Sequence, residues 1–105
     1  MNAKRKSIRK RERQMIYRKY HGICQICGTE ISYEEMTIDH IIPLDAGGKN
    51  ELANYQCTCR FCNSMKGTMM LEDFYMHITE VFWYLTEKKC GKEFTEKLYR
   101  LIQNL

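Results

Sequence analysis

The chain has 105 residues and a formal net charge of +4, one domain's length with room for a modest hydrophobic core. No apolar run is long enough to cross a bilayer, and the basic start leads into Met15-Ile16-Tyr17-Arg18 rather than the apolar stretch of a secretory signal. No membrane partner and a cytoplasmic setting are expected, and in that setting the six cysteines are read as metal ligands rather than disulfides.

Residues 1–22 form the first element. Nine Lys or Arg against the single Glu12 fall within the first twenty positions, which leaves the rest of the chain acidic on balance. Ile8, Met15, Ile16 and Tyr20 recur at helical spacing, so a basic helix is predicted that Gly22 ends. Lys4, Arg5, Lys6, Arg9, Lys10, Arg11 and Arg13 on it are candidates for gripping the phosphates of a polyanion. The competing reading is a solvated helix face.

Residues 23–67 read as a core in which a cysteine turn ("CQICGTE") leads to an apolar strand ("MTIDHIIPL"). The turn "DAGGKN" then reverses the chain into a second strand ("ELANYQCTC"), and "RFCNSMKG" opens a short helix. Residues 68–105 form a helical extension. Leu71, Phe74, Tyr75, Ile78, Phe82 and Leu85 make one stripe, Gly91 a stop, and Phe94, Leu98, Leu101, Ile102 and Leu105 a second, shorter stripe. Such stripes are read as core or partner interface rather than as a base-stacking surface.

Cys24 and Cys27 form one Cys-x-x-Cys turn and Cys59 and Cys62 another, with 31 residues between them. Two such turns present four thiolates to one tetrahedral ion, the donor set of a structural zinc. The gap exceeds the roughly 15–20 residues of a zinc ribbon, because the whole hairpin lies inside it, so the zinc is expected to clamp the hairpin's base. "CTCRFC" offers a third sulfur. Cys59 is preferred over Cys57, which then becomes a small core hydrophobe. Cys90 has no sulfur partner in sequence, His21 fits a helix-end or phosphate-facing role, and His77 is read as incidental.

Asp39 and His40 stand inside the first strand, followed by Pro43, Gly47-Gly48, Asn54 and a closing Cys-x-x-Cys-Asn-x-x-Lys-Gly. Taken whole, "DHIIPLDAGGKNELANYQCTCRFCNSMKG" resembles the HNH endonuclease family. The resemblance covers residues 24–67 and implies an α+β fold, a ββα-metal hairpin and helix around one divalent ion. By position it implies His40 as the general base, Asp39 and Asn63 as ligands of the catalytic ion, and Asn54 as a brace of the hairpin. Asn63 stands where many members have His, which favours a hard, oxygen-ligated Mg²⁺ or Mn²⁺.

The residue chemistry agrees. A neutral imidazole with an ordinary pKa of about 6.5 can take a proton from water, and one ion on a carboxylate and an amide oxygen can polarise a phosphate. Lys66 and Arg60 place positive charge beside that ion for substrate phosphates or developing charge. A difficulty is that neighbours on an ideal strand point to opposite faces, so Asp39 and His40 share one site only if the strand is irregular there.

The reading is therefore a metal-dependent DNA endonuclease that leaves 5′-phosphate and 3′-hydroxyl ends. It carries a structural zinc and enters the minor groove of duplex DNA as the family's mode implies. To cut both strands a chain this short either nicks twice or works as a homodimer or within a larger nuclease or packaging complex, and the sequence leaves these alternatives open, in an expected bacterial or phage-type context. The competing class is a zinc-stabilised nucleic-acid-binding module without catalysis. A cysteine-based redox protein would need a βαβ context, which the pattern lacks.

Overall fold

The computed structural model describes residue 4 and residues 6–105; Arg5, expected among the phosphate-gripping side chains, lies outside the described residues. The chain divides into two units, residues 1–71 and 72–105.

In the first unit, α1 (Lys10–Lys19) starts where the Glu12 carboxylate accepts the backbone N–H of Arg9 at 3.1 Å, which satisfies one orphan donor of the first turn. The helix stops three residues short of Gly22, because His21 and Gly22 both turn left-handed, at φ 55° and 64°. Gly22 is required there. A Cβ would sit 2.6 Å from the Tyr17 hydroxyl, which donates to the Ile31 carbonyl at 2.7 Å.

The hairpin pairs β1 (Thr37–His40) with β2 (Tyr55–Thr58) in antiparallel register, Asp39 opposite Gln56 and His40 opposite Tyr55. Both strands are shorter than predicted. Asn54 supplies the reason, because its side chain replaces the ladder: Oδ1 accepts from Ile42 N at 2.8 Å, and Nδ2 donates to the carbonyls of Ile42 and Lys49, each at 2.9 Å. Single 3₁₀ turns at Leu44–Ala46 and Leu52–Asn54 complete the connection.

Gly48 packs so tightly under this connection that a Cβ would fall 1.8 Å from the Ile42 carbonyl oxygen. Since that neighbour is backbone, Gly48→Ala should cost about 1–3 kcal/mol or more of stability. A thermal melt of the variant that matches wild type would refute this.

Alternation along the strands gives the hairpin two different faces. Ile38, Tyr55 and Cys57 join Ile16, Cys24, Ile31, Met36 and Cys62 in an apolar cluster, with α1 laid on β2. The other face is polar and buried. Thr37 and Thr58 bond each other at 2.9 Å, Gln56 Nε2 donates to Asp39 Oδ2 at 2.9 Å, and α2 (Arg60–Lys66) packs against β1.

The second unit is a helical pair, α3 (Leu71–Cys90) and α4 (Lys92–Gln103), joined at Gly91, where φ is 87°. Trp83 packs edge-on to Tyr99 with ring centroids 5.4 Å apart, and Thr95 Oγ1 donates to the Gly91 carbonyl at 2.7 Å. Of the predicted α3 stripe only Phe74 is buried; Tyr75, Ile78, Phe82 and Leu85 are exposed, as are Phe94, Leu101 and Leu105. Within this unit, two helices cover only the faces they turn to each other. No helix among the described residues is long and apolar enough to cross a membrane.

Candidate active site and metal centre

The two Cys-x-x-Cys turns meet at the base of the hairpin. One ligand atom from each of Cys24, Cys27, Cys59 and Cys62 lies within 4.8 Å of the others, and Cys27 and Cys59 Sγ are 4.0 Å apart. A tetrahedral ion with sulfur bonds of about 2.3 Å needs sulfurs about 3.8 Å apart, so the residues present fit such an ion.

Backbone bonds pre-form both turns: Gly28 N donates to Cys24 O at 2.9 Å and Cys24 N to Thr29 O at 2.8 Å in the first, and Asn63 N donates to Cys59 O at 3.0 Å in the second. Cys59 is also the N-cap of α2, accepting Cys62 N at 3.3 Å. Hydrogen bonds from the side chain and backbone of Thr29 lower the Cys27 thiol to about 6, which favours the thiolate that a metal ion binds. Burial pushes Cys62 up, a penalty that a bound cation reverses. Cys57 is fully buried in the apolar cluster, and burial raises its thiol to about 11. It is core, and Cys59 is the ligand-set residue.

A cavity of about 570 Å³ at the end of β1 is bordered by Lys4, Asp39, His40, Asp45, Asn63 and Ser64. Asp39 and His40 therefore reach one cavity although they alternate on the strand. His40 is the last residue of β1, where the ladder gives way to the Asn54 brace.

Asp39 is buried and doubly held. Lys66 Nζ lies 3.1 Å from Oδ1 and also donates to the His40 carbonyl at 3.3 Å, while Gln56 holds Oδ2. A carboxylate offers about four acceptor directions, so these two bonds leave capacity for an ion, and Asn63 borders the same cavity. Hard oxygen donors of this kind fit Mg²⁺ or Mn²⁺. The His40 ring stands edge-on to buried Tyr55, centroids 5.3 Å apart, with Nε2 3.0 Å from Asn50 Oδ1.

The cationic residues divide in a way that charge counting does not anticipate. Lys4, Lys6, Arg9, Lys10, Arg11 and Arg60 are exposed. Arg13 is turned inward, donating to the carbonyls of Met36 at 3.0 Å and Tyr33 at 2.8 Å and lying over the Tyr33 ring. Lys66 is 1% exposed and faces Asp39 rather than solvent. Asn50 and Gln56 were not singled out in the sequence. Gln56 had a signal, since correct strand register puts it opposite Asp39; Asn50 had none, its contact crossing the connection between the strands.

The family model described as HNH endonuclease matches residues 24–79, more than half of the chain, including the four cysteines, Asp39, His40, Asn54, Asn63 and Lys66. The chain belongs to the HNH endonuclease family. No curated protein matches the sequence. In this HNH endonuclease, the family match carries a nuclease-type function and a nucleic-acid substrate, and the four-cysteine cluster a structural metal.

Proposed function

We propose that this HNH endonuclease hydrolyses phosphodiester bonds of duplex DNA, with His40 as general base, Asp39 and Asn63 as ligands of one Mg²⁺ or Mn²⁺, and zinc on the four cysteines. The observation that carries the reading is the shared cavity, bordered by an imidazole, a carboxylate and an amide beside the cationic Lys4. When bound, the divalent ion supplies charge relief to the phosphate and to the leaving 3′ oxygen. His40 takes the proton of the attacking water, and Lys66 and Gln56 hold Asp39 in place for its ligand role.

The exposed cations of α1, with Arg60 on α2, suit flanking phosphates, contacts that add affinity and little sequence information. The hairpin enters the minor groove in the family's manner. A second copy of the chain would let both strands be cut in one binding event.

Supercoiled plasmid incubated with Mg²⁺, Mn²⁺ or excess chelator, beside a His40→Ala variant of matched metal content, tests this. Wild type should nick or linearise the plasmid only with the divalent ion. His40→Ala should be slower by roughly 10²–10⁴-fold, the usual worth of a positioned base. The ratio of linear to nicked product reads strand usage. Equal inertness of both proteins, with both still retarding DNA in a gel, would replace the nuclease reading with that of a binding module whose Asp39–Lys66 pair is structural.

A further inference from the structure

We infer that Asn50 is the positioning residue for His40: its amide fixes the imidazole as the Nε2–H tautomer and leaves the lone pair on Nδ1. This rests on the reading of His40 as the base. The assignment follows from two bonds taken together. Asn50 Nδ2 lies 2.7 Å from the backbone carbonyl of Lys4. A carbonyl only accepts, so that end of the amide is the NH₂ group. The other end, 3.0 Å from His40 Nε2, is therefore the oxygen, which also only accepts. The proton between them belongs to Nε2.

The opposite orientation of the amide would set its oxygen against the Lys4 carbonyl and lose a hydrogen bond. One backbone oxygen, 46 positions from Asn50 in the chain, thus dictates which imidazole nitrogen is basic. The edge-on Tyr55 ring restrains the imidazole plane, so Asn50 and Tyr55 together set ring orientation and tautomer. The amide acts on His40 as an outer-shell carboxylate or carbonyl acts on a metal-bound histidine.

The test uses the full chain, metal-loaded at the cysteines, with ¹⁵N-labelled histidine and no added divalent ion. At a pH well above the ordinary imidazole range, long-range proton–nitrogen correlation spectra read the tautomer of each of the three histidines. Wild-type His40 should show a protonated Nε2 and an unprotonated Nδ1. Asn50→Leu should redistribute the tautomers. Asn50→Asp, which keeps an acceptor facing Nε2, should retain the wild-type pattern.

In the plasmid assay Asn50→Leu should lower kcat by roughly 10–100-fold, the usual cost of losing such an outer-shell partner, with KM little changed, and Asn50→Asp should recover much of it. A wild-type His40 protonated on Nδ1 would overturn the inference even if no variant folded. So would an Asn50→Leu spectrum indistinguishable from wild type. A wild type that cuts DNA while His40 ignores Asn50 defeats this inference alone. The predicted tautomer response in a protein that does not cut supports the positioning and defeats the nuclease reading alone.

Discussion

Stripping the ion from the four-cysteine site should unfold residues 1–71 as a unit. Two of its buried apolar residues, Cys24 and Cys62, are also ligand-set residues, so loss of the ion leaves two thiols in the core that lack the partner for which they converge. Structural zinc contributes apparent free energies of about 10–16 kcal/mol in small metallo-domains. That matches or exceeds the whole stability of a typical domain, about 5–15 kcal/mol.

Cys27 gives the cleaner variant, since it is exposed and its replacement removes a ligand with little loss of packing. Cys27→Ser and the chelated wild type should both lose the cooperative melt of the first unit, and added zinc should restore only the wild type. If the chelated protein melts cooperatively at the wild-type temperature, the cysteine cluster does not hold the fold.

Breaking the Lys66–Asp39 pair should be the most costly single change near the cavity. The two side chains are 0% and 4% exposed, so solvent does not screen the charge that is left behind. Removing one partner of a buried pair typically costs about 3–5 kcal/mol, because the other charge stays desolvated. Lys66→Met should therefore melt far below wild type, while Lys66→Met combined with Asp39→Asn should regain most of the loss, as expected for coupled neighbours.

Mg²⁺ or Mn²⁺ should raise the melting temperature of Lys66→Met more than that of wild type, since an ion on Asp39 then replaces the missing ammonium. The double variant should not respond. If the two single variants and the double variant lose stability additively, the pair carries no interaction energy. If divalent ions leave the Lys66→Met melt unmoved, Asp39 does not bind the ion in that protein.

The two Cys-x-x-Cys spacings, the Gly-Gly turn and the Asp39, His40, Asn54 and Asn63 constellation were legible in the sequence because each depends on local geometry or on a fixed residue order. They were enough for the α+β class, the family and the four-cysteine cluster. The choice of Cys59 over Cys57 was also open to local reasoning, since the chelate loop is set by a spacing of three.

Tertiary structure alone decided which charges are free and which are spent. Arg13 and Lys66 read as two more members of a basic population, yet one ties down the loop before β1 and the other neutralises Asp39. Charge counting cannot separate a solvated cation from a buried one, because burial depends on what packs above the residue. Nor could strand alternation alone bring Asp39 and His40 to one cavity. That required the ladder to end at His40, where the Asn54 side chain takes over the hydrogen bonds. The Asn50 contact spans 10 positions to His40 and 46 to Lys4, distances over which no residue pattern reports a hydrogen bond and only the folded chain brings the partners together.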